Sequence, residues 1–299
     1  MAQTLEAMRR RKESASDLYS VVRVMKALAA ANIRQCEKAV ESLHDYARTV
    51  EDGLQIAVRH RAGMLGNDPV PGKRWCVVVF GSDQGMCGSF NEQITQYALE
   101  EFRTLTSSPE DLTLLAVGLR IVGRLEDAGY PIAEDLMVPS TIDNITPRVN
   151  DLLLKIEQLR FQKGINQFLL IHHRPAGSSF QPDKRQLLPI DRKWLHDLSH
   201  KKWKSHSLPT YTLEWEQLFS SLVRQHLFVT LYRAFAESMA SENSSRLASM
   251  QAAEKNIETH LNELTKEYHQ RRQQGITEEL LDIVAGFETL TQKPRAKTP

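Results

Sequence analysis

Proline is missing from both ends of this chain. Ten of its twelve prolines fall between Pro69 and Pro209, and the other two are Pro294 and Pro299. Proline interrupts helix interiors because it lacks an N–H and collides with the preceding turn. Two long proline-free ends therefore read as long helices, with a turn-rich domain between them. Cysteine is scarce too: Cys36, Cys76 and Cys87 are an odd set without paired spacing, which points to free thiols in a reducing compartment. Charge of either sign is not in excess. A net charge of +1 excludes a general basic field that would recruit nucleic acid or anionic lipid. The one dense cluster, Arg9-Arg10-Arg11-Lys12, is flanked by Glu6, Glu13 and Asp17. It reads as a solvated helix face or a contact for an acidic partner. Met1 to Met8 show no secretory leader or transit-peptide pattern, and no apolar run approaches the roughly 20 residues that span a bilayer.

What is present is periodicity. Val22, Ala29, Cys36, Leu43, Val50 and Ala57 recur at every seventh position, interleaved with a second series of Ile33, Val40, Ala47 and Leu54. That is a coiled-coil seam. The helix is expected to end near Gly63 and Gly66, with a length on the order of 80 Å. A second seam runs through Leu227, Leu231, Phe235 and Met239, then Leu247, Met250, Ile257, Leu261, Leu264 and Tyr268. This helix is expected to continue through Gly275 to about Thr289. The economical solution pairs the two seams antiparallel. The stretch from Ile276 to Phe287 is apolar on more than one face, so it asks for a partner beyond the first helix.

The middle reads as an α/β domain with a largely parallel sheet. Short apolar runs at Trp75–Phe80, Leu112–Val117 and Gln167–Ile171, and a weaker one at Ile132–Val138, alternate with helices at Asn91–Leu105, Leu119–Ala128 and Pro147–Gln162. His172 to Thr212 holds four prolines and reads as irregular, except for a possible strand at Gln186–Ile190. The expected organisation is a coiled-coil helix over 1–66, an α/β foot over 67–211, a second coiled-coil helix over 212–290 and a tail over 291–299.

Candidate chemistry is sparse. Gly81-Ser82-Asp83-Gln84-Gly85-Met86-Cys87-Gly88-Ser89 joins a strand to a helix, where backbone N–H groups can cradle phosphate. It matches neither G-x-x-x-x-G-K-[ST] nor G-x-G-x-x-G and lacks a phosphate-binding lysine, so a packing turn is the simpler reading. Nucleotide binding there, on a coiled-coil scaffold, is the alternative function. Cys87 has no identifiable base and reads as a small buried residue. His172, His173, His196, His200 and His206 complete no metal spacing. Neither a catalytic constellation nor a cofactor or metal site is expected.

Three motifs, in order, resemble the γ subunit of F-type rotary ATP synthases. They are Met25-Lys26-Ala27-Leu28-Ala29-Ala30-Ala31-Asn32-Ile33-Arg34, the Gly81–Phe90 turn, and the C-terminal Ala240–Arg246, Met250–Ala253 and Ile276–Gly286 segments. The resemblance covers both terminal helices closely and the middle loosely. It implies a central shaft whose terminal helices turn inside a ring of α and β subunits. Its foot would rest on the membrane-embedded c-ring beside the ε subunit, coupling ion flow to ATP synthesis or hydrolysis performed elsewhere. Residue by residue, it implies that Met25 and Lys26 face the acidic lever of a β subunit and that Arg246 matches an arginine at that interface. Arg272, Gln273 and Thr277 would touch loops of the ring. It also places the subunit peripherally, at the cytoplasmic face of a prokaryotic membrane. Gln84 stands where the family's turn usually has arginine, and the plant-type regulatory dithiol is absent. The divergent middle, including Lys201-Lys202-Trp203-Lys204, leaves room for an atypical complex translocating protons or sodium.

Overall fold

The computed structural model describes residues 2–60, 74–177, 179–203 and 210–291. The expected helix end at Gly63–Gly66, the residues Lys204 and His206, and the tail after Thr291 lie outside them. The chain divides into two compact units: residues 28–249, and residues 1–27 with 250–299. Two helices run through both, α1 (Ala2–His60) and α6 (Trp215–Thr291).

In the larger unit the remaining elements are β1 (Trp75–Phe80), α2 (Phe90–Leu105), β2 (Leu112–Val117), α3 (Leu119–Asp127), β3 (Ile132–Leu136), α4 (Ile145–Lys163), β4 (Gln167–Ala176), β5 (Ser179–Leu188) and α5 (Arg192–His200). The five strands form one sheet in the order β3-β2-β1-β4-β5. The first four pair in parallel and β5 closes one edge antiparallel to β4. β1 reads Trp-Cys-Val-Val-Val-Phe without polar alternation because both of its faces are covered. Val77, Val79, Leu114, Ala116 and Ile171 pack on α2 and α3 through Ile94, Phe102, Ile121 and Leu125. On the opposite face, Val78, Phe80, Leu115, Phe168 and Leu170 meet Val149, Leu152 and Ile156 of α4 and Leu231, Phe235 and Met239 of α6. Phe80 meets Phe235 edge to face, centroids 4.9 Å apart. That contact couples the sheet directly to the C-terminal helix.

The two long helices run antiparallel within this unit. Asn32 reaches Asn243, Tyr46 Oη donates to Gln225, and Trp215 Nε1 donates to the Ala57 carbonyl. The heptad series is the buried seam: Ala29, Cys36, Val50, Leu54 and Ala57 are buried. The seam also continues below Leu18, since Met8 and Ala15 are buried in the smaller unit, in line with Val22. Small residues at Ala15 and polar neighbours hid that extension from a hydrophobicity reading.

One expectation is overturned. His172 to Thr212 is mostly regular: β4 runs on to Ala176, β5 is a ten-residue strand, and α5 follows. Proline misled here. Pro182 lies on β5, the sheet edge, where a missing N–H costs no ladder bond to a further strand. The strand also looks polar because one side of an edge strand faces water. α5 opens on Asp191, whose Oδ1 accepts from Lys193 N at 2.8 Å, an N-cap that four nearby prolines obscured.

Candidate coupling interface

The Gly81–Ser89 turn leaves the C-terminal end of β1 and is built to be filled by its own side chains. Asn91 folds back from α2 so that Oδ1 accepts from Ser82 N at 3.0 Å, while Nδ2 donates to Ser82 Oγ at 2.8 Å. Asp83 bridges two further strand ends: Oδ1 accepts from Leu119 N and Oδ2 from Val138 N, both at 2.9 Å. A carboxylate therefore stands at the N-terminus of α3, where the helix dipole favours negative charge. The geometry favours the packing-turn reading over a phosphate cradle: the Ser82 N–H is taken by Asn91, and the turn carries a carboxylate of its own in Asp83.

α6 locks the turn from the other side. Ser245 Oγ donates to the Cys87 carbonyl at 2.5 Å, and Arg246 Nη2 lies 3.5 Å from the Gly85 carbonyl. Gly88 adopts φ +55° and approaches so closely that a Cβ would sit 3.0 Å from Ser249 Oγ. Glycine is required there by backbone conformation and by proximity. Arg246 also pairs with Glu242 at 2.5 Å, and the two side chains are only 10% and 9% exposed. Burial pushes the Glu242 carboxyl up from its ordinary range, and the Arg246 guanidinium pulls against that shift. Cys87 lies beneath the turn, 3% exposed, with Sγ near Ser82 Oγ and Asn91 Nδ2. It is a packing residue, as its surroundings in the sequence suggested.

The residues singled out by the family motifs fall into three settings. Met25 and Lys26 are half-buried in the smaller unit, where Lys26 Nζ pairs with Glu254. Arg246 belongs to the larger unit and is turned inward against Glu242 and the glycine turn. Arg272, Gln273 and Thr277 are exposed on α6, Thr277 bonding back to the Gln273 carbonyl of its own helix. Around them, every residue from His269 to Phe287 is exposed except Gly275, which is intermediate. Ile276, Leu280, Leu281, Ile283 and Phe287 are between 53% and 72% exposed. An uncovered apolar helix of this kind marks a surface that meets another protein. Sequence reasoning missed Glu242, Glu254 and the double role of Asp83. Glu242 stands four residues before Arg246, a helical pairing distance, which was the available signal.

Among the described residues no helix is long and apolar enough to cross a membrane, and no group of metal-ligating side chains converges.

Comparisons with known proteins agree with one another. A family model described as ATP synthase matches residues 4–290. The ATP synthase gamma chain of Bdellovibrio bacteriovorus is 26% identical over 306 residues, covering 96% of this chain and 99% of the relative. That of Bacteroides fragilis is 28% identical, covering 95% and 98%. Among solved structures, one chain in the Euglena gracilis mitochondrial ATP synthase (OSCP/F1/c-ring, rotational state 3) aligns over the full length of both chains with a TM-score of 0.65 at 14% identity. A chain in the Tetrahymena thermophila central stalk and c-ring covers 78% of this chain and 99% of that one, with a TM-score of 0.56.

Proposed function

The chain belongs to the ATP synthase family, and we propose that it is the γ-type central rotor shaft, carrying torque between a membrane c-ring and an α/β catalytic ring. The observation that carries this reading is the exposed apolar end of α6, from Ile276 to Phe287, on a chain whose relatives are gamma chains over nearly their whole length. An apolar helix end this exposed is suited to turning inside a sleeve supplied by other subunits.

In this reading the α/β domain is the foot, resting on the c-ring beside the ε subunit. The chain is a non-catalytic component; nucleotide chemistry belongs to the ring. Met25, Lys26, Arg272, Gln273 and Thr277 are the contacts that the ring reads as the shaft turns. Arg246 contributes by holding the glycine turn on α6, which fixes the foot to the shaft helix. A rotor works by binding different ring conformations unequally at different angles, so its surface need only be asymmetric and its body stiff. The assembly sits peripherally on a membrane, on its cytoplasmic face.

The test is direct rotation. Phe161 is 91% exposed on α4, and the native thiols are buried, so Phe161→Cys gives one labelling site. The chain, co-assembled with α and β subunits on an immobilised ring and carrying a bead at that cysteine, is expected to step in one direction on addition of ATP. The isolated chain is expected to hydrolyse none. A bead that stays fixed while the assembly hydrolyses ATP overturns the shaft assignment.

A further inference from the structure

The larger unit contains a cavity of about 360 Å³ between α1, β5, α5 and α6 that no part of the rotor reading uses. Arg185 of β5 and Arg233 of α6 line it together with His226 and Trp194. Nothing in a shaft requires two guanidinium groups to share a cleft. Neither arginine has a salt bridge to a described carboxylate, and Arg233 Nε is buried with no hydrogen-bond partner among the described residues. A buried guanidinium N–H without an acceptor carries a desolvation cost. Trp194 covers His226, ring centroids 4.8 Å apart, and walls this end of the cavity with aromatic surface.

Two carboxylates also line the cavity, and their placement matters. Asp191 is engaged as the N-cap of α5 through Lys193 N. Glu51 comes from the α1 wall. Burial lowers the proton affinity of His226 most, and the positive charges of Arg185 and Arg233 lower it further, with no carboxylate opposing them. The end of the cavity around His226 is therefore cationic.

We propose that this cavity binds a small phosphate-bearing anion, held by the Arg185 and Arg233 guanidinium groups beside His226. Arginine forks match phosphate oxygens bidentately, and the volume suits a phosphate or a small phosphate ester more than an extended polymer. The site lies where β5, α1 and α6 meet, so an occupied cavity would bind the sheet edge to both long helices and stiffen that junction.

The experiment uses the full chain, titrated by calorimetry with inorganic phosphate, with pyrophosphate and with vesicles of phosphatidylglycerol, alongside thermal melts. The expected result is saturable binding of the free anions, weakened at least tenfold in Arg185→Gln and in Arg233→Gln and partly restored in Arg233→Lys. Without ligand, Arg233→Gln is expected to melt at or above the parent temperature, because it removes a half-buried guanidinium that has no ion-pair partner among the described residues, while the stabilisation by phosphate disappears. No saturable binding of either anion overturns the proposal. So does binding that survives both glutamine substitutions, binding to vesicles alone, or an Arg233→Gln chain that melts lower yet keeps its phosphate-induced shift.

Discussion

His173 is wholly buried, stacked near Phe90 and edge-on to Phe180, and its Nε2 donates to the Phe90 carbonyl at 2.9 Å. Burial pushes its proton affinity down to about pH 4, against an ordinary value of 6.5. The unfolded chain takes up a proton on this ring near pH 6.5, whereas the folded chain refuses it until about pH 4. Lowering the pH through that window therefore favours unfolding, and the stability from the neutral ring is full above 6.5 and lost below 4. At about 1.4 kcal/mol per pH unit the difference amounts to roughly 3 kcal/mol. Denaturant melts at pH 7 and pH 4.5 are expected to show that loss, and His173→Gln to flatten the dependence. Backbone conformation makes a second prediction at the same scale. Gly118 has φ +106°, and a Cβ there would lie 2.8 Å from the Ser82 backbone. Gly118→Ala is expected to cost about 2 kcal/mol or more, read as a lowered melting midpoint. The thiols Cys36 and Cys76 are pushed up to about 12 by burial. Iodoacetamide is expected to leave both unmodified in the native chain and to label them once the chain is denatured.

At the scale of elements, α6 contains Gly275 in an open position, where an added methyl group would meet nothing within 4 Å. Gly275→Ala is expected to stabilise the helix locally by about 1 kcal/mol, visible as slower amide exchange on either side. If exchange is unchanged, that turn of helix is already held by something other than its own propensity. The same helix shows how much the sequence could reveal. Periodicity exposed both long helices, and apolar runs exposed the strands that start at Trp75, Leu112 and Gln167, with a weaker signal at Ile132, because burial on one stripe or on two faces leaves a direct pattern. The continuation of β4 beyond Ile171, the first part of β5 and all of α5 left no such pattern. An edge strand with one face in water and Pro182 in its run looks like loop, as does the end of β4 with Pro175, and the edge strand's register is fixed by β4 rather than by its own residues. Site residues were legible only in part. Arg272 and Thr277 could be placed on a helix surface, and the spacing of Glu242 and Arg246 hinted at a pair, but the turn of Arg246 toward the Gly85 carbonyl spans 161 residues. Long-range geometry of that kind has no local signature.

At the scale of the whole molecule, a rotor must transmit small free-energy differences through a moving contact. A tenfold preference for one ring conformation over another is about 1.4 kcal/mol, so a single misplaced charge is enough to disturb coupling without disturbing assembly. Met25 is half-buried beside Lys26, whose ammonium pairs with Glu254. Met25→Lys would place a second cation at this position, competing for Glu254 and offering a charge to whatever acidic group passes. Surface ion pairs are worth little by themselves, roughly 1 kcal/mol or less, so the helix pair should remain folded and assembly with α and β subunits should proceed. The ratio of ions pumped to ATP hydrolysed in reconstituted vesicles is expected to fall, with hydrolysis retained. Met25→Leu, which keeps volume and neutrality, is expected to preserve the ratio. Normal pumping per ATP in Met25→Lys would remove this position from the coupling contact, and loss of assembly in both variants would show that Met25 packs the helix pair instead.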